Sequence, residues 1–525
     1  MNLYGNKLFF ALLLLMLFVL QAILLRLHPQ KAEGINRRVP NQVITAVFCF
    51  CTALFAASLF HLYPGNTRPP MQDSSVFLYI GKRMAEGKLP YRDLFDHKGP
   101  LLYLLQLLGI RLTPDSLTGV WLLELLNLFL TAFILLKLAS LITDCDTNAR
   151  LSVFAVLGIC GWMVWQGGNF TEEYALPWIS SAAYISFRFF RNKSYKRRDI
   201  VLLGGGFAVV LLLRANMIAA WITLIPVVLI LLLKEKRFSE IGQCVALFFT
   251  GIMIVVIPVV IWAAKAGFLR ELWQDYILFN FRYTESVGGG IKERILLTGR
   301  FMVVLFPAAI AMIVSLLIAP RNRLLWYNLA FFVISAITAA MSGRLYYHYA
   351  IVMLPATVLP FCVCFSTTGK WLQREEQKRY SDPVISILVF CLTAFAATGY
   401  RHVSSKPGES DPVMTFLNEN TQAEDDVLFL GNSSWYYLLA DRKTDNRFFY
   451  QLPPLEVNRK LGEQFEQELK AQPSDYILIT GDFAARNRVK ERLREVWPVL
   501  EQEILADYEH TTYDLFEVYI RRQED

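Results

Sequence analysis

The sequence predicts an all-α polytopic membrane bundle of about 12 transmembrane helices, with interfacial helices in its outer loops and a small C-terminal extracytoplasmic α/β domain. Three observations predict it. The 525 residues are 54% hydrophobic and only 18% charged, with a mean hydropathy of +0.37, too apolar for a soluble globule. Twelve apolar runs stand near 7–27, 43–63, 118–142, 151–166, 175–190, 200–215, 217–233, 242–264, 301–319, 324–341, 349–366 and 383–400. Most reach the roughly 17–25 residues that a helix needs to cross a bilayer core. Their hydrophobicity is continuous rather than alternating every second residue, and lipid offers no partner to a bare amide, so the spans are helices and not barrel strands.

The first run is longer than a signal-peptide core, lacks a small-residue cleavage site and follows a single Lys7, so it reads as a helix. The short loops fix the orientation. Arg188, Arg191, Lys193, Lys196, Arg197 and Arg198 crowd one loop; Lys234, Lys236 and Arg237 a second; Arg321 and Arg323 a third. Lys370, Arg374, Lys378 and Arg379 mark a fourth, and Lys31, Arg37 and Arg38 mark loop 28–42. Short basic loops stay in the cytoplasm. That places Asp73–Arg111, Gly167–Tyr174, Phe268–Arg300, Ser342–His348 and everything after Tyr400 on the outer face. The net charge of +7 is therefore a topology signal and not a nucleic-acid footprint. None of the eight cysteines lies in an outer segment, which excludes a disulfide framework or thiolate metal site there.

Residues 1–400 form the membrane domain, with long outer loops at 64–117 and 265–300; residues 401–525 form the extracytoplasmic domain. In the first loop Leu101–Leu112 is apolar but too short to span, and suits an interfacial helix. In the second, Phe268–Tyr283 reads as a short surface helix before Gly288-Gly289-Gly290. After 401, Val427–Gly431 and Asp475–Thr480 read as buried strands, Glu456–Lys470 and Ala485–Val496 as helices, and Tyr513–Ile520 as a final strand.

The candidate chemistry lies on the outer side. Asp73 opens the first outer loop, where a partly shielded carboxylate can serve as a general base. It equally suits the cap of a helix beginning at Ser74, and the two roles are compatible. Asp96-His97-Lys98 sets an acid, an imidazole and a cation in succession, with Lys98 placed to meet an anionic head group or to snorkel to water. Glu172 and Glu173 occupy a tight outer turn, where buried acids need hydration, a partner or a metal. Arg214 stands between two apolar helices and needs either a protein carboxylate or a phosphate. Arg344, Tyr347 and His348 add a cation, a belt phenol and an imidazole on the same side. Together they suit a reaction on a lipid-linked, phosphate-bearing substrate. A divalent ion near Asp73 or Glu172 is the only cofactor that these residues suggest.

The motifs carry a resemblance. An Asp opens the first outer loop in Asp73-Ser74-Ser75-Val76-Phe77-Leu78-Tyr79. Gly87-Lys88-Leu89-Pro90-Tyr91-Arg92-Asp93 and Asp96-His97-Lys98-Gly99-Pro100 follow, then Asn169-Phe170-Thr171-Glu172-Glu173, Arg214-Ala215-Asn216 and Tyr347-His348-Tyr349. Over roughly residues 60–370 this pattern resembles the C-type (GT-C) integral-membrane glycosyltransferases. The similar branch is the bacterial one near the protein O-mannosyltransferases and the lipid A aminoarabinose transferase. The resemblance implies an inverting transferase in the bacterial cytoplasmic membrane. It would move a sugar from a polyprenyl-phosphate donor to a glycolipid, glycan or protein acceptor among the membrane lipids. It implies Asp73 as base, Lys98 and Arg214 on the departing phosphate, and Asp96, His97, Glu172, Glu173, Arg344, Tyr347 and His348 around the substrates. A polymerase or ligase of lipid-linked glycans would instead place key arginines late in the chain. A transporter would place charge at mid-membrane in repeated halves.

Overall fold

A computed structural model describes residues 41–372 and 411–522, apart from 65, 67–68, 71, 144–145 and 283–289. The expected first and last spans, at 7–27 and 383–400, lie outside the described residues. In chain order the longer helices are α1 Asn41–Ala57, α2 Gln72–Ala85, α3 Pro100–Leu112, α4 Thr118–Ala139, α5 Asp146–Phe154, α6 Thr171–Asn192 and α7 Arg197–Leu213. They continue as α8 Ala219–Lys234, α9 Phe238–Ala266, α10 Ile291–Val304, α11 Phe306–Ile318, α12 Arg323–Ala340 and α13 Val358–Leu372. The C-terminal part holds α14 Pro412–Asn420, α15 Arg459–Ala471 and α16 Phe483–Arg492, with strands β1 Val427–Leu430, β2 Tyr476–Thr480, β3 Tyr508–Tyr513 and β4 Phe516–Arg521.

Among the described residues, four helices are long and apolar enough to cross a membrane: Thr118–Ala139, Phe238–Ala266, Arg323–Ala340 and Tyr347–Ser366. The expected span 301–319 is broken into α10 and α11, which meet at 88°. Pro307 explains the break, because its ring lacks an N–H and clashes with the carbonyl one turn back. Four more apolar helices run 10–17 residues, among them Pro100–Leu112, the segment expected to lie at the interface.

The chain divides into two compact units. The first takes the described residues within 1–66, 121–258 and 289–403; the second takes those within 67–120, 259–288 and 404–525. In the first unit the turn after α1 is tied down where His61 N–H donates to the Gly167 carbonyl at 2.7 Å. Gly167 and Gly168 have φ of +97° and +80°. A Cβ on Gly168 would stand 2.6 Å from Glu124 Oε1 and closer still to the Phe60 ring, so no larger residue fits this turn.

The second unit gathers both long outer loops around the C-terminal α/β part. Its sheet has strand order β1-β2-β4-β3, with β1 and β2 parallel and the other pairs antiparallel. The register sets Leu428 against Ile477 and Leu478 against Val518, all fully buried. Strands β1 and β2 match the expected pair; β3 and α14 carry no apolar run that marks them in the sequence. One core joins the three chain segments. Phe95 of the first loop is fully buried, with its ring 5.7 Å from Phe279 of the second loop and 5.4 Å from Phe448 of the C-terminal part. Burial of such a ring contributes about 1.5–3 kcal/mol. Around it, Lys82 pairs with Asp441, and Asp445 accepts from Arg83 at 3.1 Å and Lys88 at 2.9 Å. These pairs are partly exposed and contribute little energy, but they fix which faces meet.

Candidate functional site

In the second unit the Gly-x-x-Pro-Tyr-x-Asp stretch is a folded loop. Asp93 Oδ2 accepts from the Leu89 amide at 2.7 Å, and Tyr91, fully buried with φ +66°, donates its hydroxyl to the Lys98 carbonyl at 2.6 Å. Burial pushes the Tyr91 phenol well above its ordinary value, so it stays a donor. The Asn280 amide donates to the His97 carbonyl at 2.7 Å. The backbone of His97-Lys98 is thus held from both outer loops.

Asp96 is 1% exposed and its oxygens are filled. Oδ1 accepts from the His97 amide at 2.6 Å and the Tyr450 hydroxyl at 2.6 Å; Oδ2 accepts from the Tyr103 hydroxyl at 2.7 Å. His97 Nδ1 stands 3.2 Å from Oδ1. Burial alone raises such a carboxyl, but the hydrogen bonds from His97 and Tyr450 and the Lys98 charge outweigh it and hold Asp96 below the usual carboxylate range. Lys98 Nζ lies 3.0 Å from His97 Nε2 and 5.9 Å from the centre of the Phe77 ring. Phe77 follows Asp73 by one helical turn, so the two share a face of α2. The helix starts at Gln72, which puts Asp73 in its first turn, half-buried, rather than at a cap before Ser74. An acid is favoured there by the helix dipole.

Deeper in this unit Arg447 donates to Asp275, and through Nε to the Tyr91 carbonyl at 2.8 Å. Burial pushes the Asp275 carboxyl up to about 7, with Arg447 only partly opposing it. A carboxyl raised above its unfolded value adds stability that is full below about pH 4 and fades as pH climbs through about 7. Melting of the purified protein from pH 4 to 7 is therefore expected to show a falling Tm that Asp275→Asn flattens.

The remaining expected residues gather in the first unit. Glu172 is 2% exposed; Arg214 donates to its Oε1, and the Thr171 hydroxyl donates to its Oε2 at 2.7 Å. The Arg214 guanidinium also lies 4.0 Å over the Tyr349 ring. Of the two partners that Arg214 could have had, it holds a protein carboxylate. The His348 ring stacks on Phe170 at 4.0 Å and 4°, and the Tyr346 ring stands 5.7 Å from it. His348 Nδ1 meets Gln166 Oε1 at 2.9 Å. Glu173 is fully buried and points the other way: it shares the Asn169 amide with Glu124, at 3.0 Å and 2.5 Å. It therefore braces the Gly167–Asn169 turn. Arg344 is half-buried in a turn closed by Ser342. Tyr347 lines a cavity of about 750 Å³ with Met163, Leu296, Arg300, Val304 and Leu345. Only Arg300 and Tyr347 are polar in that lining, a composition that fits an amphiphile.

Replacing Arg214 by Met leaves Glu172 buried without its cation, and a loss of about 3–5 kcal/mol is expected. A lowered Tm that Glu172→Gln largely restores would check it. Among the described residues, no group of three or more His, Cys, Asp or Glu is placed to hold a metal. Glu172 is already engaged by Arg214 and Thr171.

Tyr103, Tyr450, Arg447 and Gln166 were not anticipated, and Thr171 and Tyr349 stood in the motifs without a role at the site. Thr171 and Tyr349 adjoin expected residues, whereas Tyr450 lies 354 residues from Asp96, beyond any local pattern.

The chain resembles solved structures at low identity. ArnT from Cupriavidus metallidurans bound to undecaprenyl phosphate aligns over 92% of this chain and 98% of its own, at TM-score 0.61 and 12% identity. The same protein in the apo state aligns over 91% and 97%, at 0.60 and 11%. The Archaeoglobus fulgidus oligosaccharyltransferase in complex with Zn and sulfate aligns over 90% and 73%, at 0.50 and 14%. No curated protein sequence matches significantly. The family model described as "Putative competence-induced protein Ccs4 N-terminal domain" matches residues 32–391. The chain belongs to that competence-induced protein Ccs4 N-terminal domain family, and its fold is similar to that of the ArnT and oligosaccharyltransferase structures.

Proposed function

We propose that this protein is an inverting membrane glycosyltransferase. It moves a sugar from a polyprenyl-phosphate donor to a lipid, glycan or protein acceptor on the outer face of the bacterial cytoplasmic membrane. The C-terminal α/β part then lies outside the membrane as well. The fold likeness supports the class of enzyme. The observation that carries the chemistry is the Lys98 ammonium over Phe77, one turn along the same helix face from Asp73. A carboxylate and a cation near one end of α2 support this reading.

On this reading Asp73 takes the proton from the acceptor hydroxyl or amine as it attacks the anomeric carbon. The bond from that carbon to the phosphate oxygen breaks, configuration inverts, and Lys98 meets the charge that grows on the leaving phosphate. Asp96 does not touch substrate; it holds His97, and His97 directs Lys98. In the first unit, taken by itself, the apolar cavity beside Tyr347 suits the chain of an amphiphile. The test is transfer from a polyprenyl-phosphate sugar in membranes containing the protein, with Asp73→Asn alongside. Undiminished turnover in the variant removes Asp73 as the base.

A further inference from the structure

We infer that Tyr450, supplied by the C-terminal α/β part, is a positioning residue for the Lys98 ammonium. It acts through Asp96 and His97, and this rests on the proposed reading only for what Lys98 binds. The chain of contacts is short. Tyr450 donates to Asp96 Oδ1 at 2.6 Å, that oxygen faces His97 Nδ1 at 3.2 Å, and His97 Nε2 lies 3.0 Å from Lys98 Nζ. A lysine ammonium can only donate, so Nε2 must accept. The imidazole is then neutral with its proton on Nδ1, the nitrogen that stands 3.2 Å from Asp96 Oδ1. Asp96 sets the tautomer, the tautomer sets the acceptor for Lys98, and Tyr450 holds the oxygen that begins the series.

The segment bearing Tyr450 is built to hold it still. Phe448 and Phe449 are fully buried and Tyr450 is 3% exposed. The Arg447 carbonyl accepts from Phe95 N at 2.8 Å, and the Arg447 side chain reaches the Tyr91 carbonyl. Behind it, Thr444 N donates to the Tyr79 hydroxyl of α2 at 3.0 Å, and the Tyr79 ring lies 4.8 Å from Phe449. Residues 444–450 therefore grip α2 and the 91–98 loop at separate points. The contact with Asp96 is the one among them that leads to a titratable series ending in a cation. A neutral packing residue would have satisfied the rest.

The experiment compares the full-length protein in detergent with Tyr450→Phe, which keeps the ring, and with Asp445→Asn, which alters the pairs with Arg83 and Lys88 on the same segment. Three readouts are taken: the His97 ring-nitrogen shifts by ¹⁵N NMR, affinity for undecaprenyl phosphate, and Tm. We expect the wild type to show the Nδ1-protonated tautomer. Tyr450→Phe is expected to lose that single tautomer and weaken undecaprenyl phosphate binding about tenfold, the value of one hydrogen bond to a charged group. Its Tm should stay with that of Asp445→Asn, which changes neither other readout. An unchanged tautomer in Tyr450→Phe overturns the inference, whether or not Tm or affinity falls. If the wild type does not bind undecaprenyl phosphate while Tyr450→Phe still shifts the tautomer, the positioning role stands and the proposed donor fails.

Discussion

Asp73→Asn is expected to lower sugar transfer by about 10²–10⁴-fold, the usual contribution of a positioned general base. The substitution keeps the volume and a polar group in the first turn of α2, where the residue is half-buried. Stability is therefore expected to stay within about 0.5 kcal/mol. The loss should fall on kcat, because the amide can still accept a hydrogen bond from the acceptor but cannot take its proton. Steady-state kinetics with a polyprenyl-phosphate sugar check it. A variant that loses affinity for the acceptor at full kcat would make Asp73 a binding group and leave the base elsewhere.

Lys98→Met is expected to cost about 10²–10³-fold in kcat, as for removal of one group that meets developing transition-state charge. Met retains much of the apolar stem over Phe77, so packing at that end of α2 is preserved. Lys98→Arg is expected to recover only part of the rate. The planar guanidinium is a different shape from the compact ammonium that His97 Nε2 receives at 3.0 Å. Equal activity of wild type and Lys98→Met would remove the cation from the chemistry and reduce it to an interfacial charge.

The first outer loop shows how far residue types can mislead. In sequence Lys82, Arg83, Lys88 and Arg92 stand beside the candidate residues, yet Lys82, Arg83 and Lys88 pair with Asp441 and Asp445, and Arg92 pairs with its neighbour Asp93. Much of that charge docks the loop on the C-terminal part. His97 and Lys98 face each other instead, at 3.0 Å. Arg214 was legible as a cation needing an anion, and the partner Glu172 was legible as an acid needing company, but nothing in their spacing joined them. Glu173 reads in sequence like Glu172 and turns to the opposite side, toward Asn169 and Glu124. A helix rotates adjacent residues by about 100°, so neighbours in sequence need not be neighbours in a site.

By itself the sequence determined the membrane class, the apolar stretches from which the helices form, the basic loops and the positions of the C-terminal strands β1, β2 and β4. Each of these follows from local hydrophobicity, charge or periodicity, which a single stretch of chain carries. The tertiary structure alone decided the break at Pro307, the two-unit division and the supply of Tyr450 and Arg447 to a loop more than 350 residues earlier. Those depend on which buried polar groups find partners when distant segments pack. A lone Tyr or Arg in the sequence holds no trace of the carboxylate that will fill its hydrogen bonds.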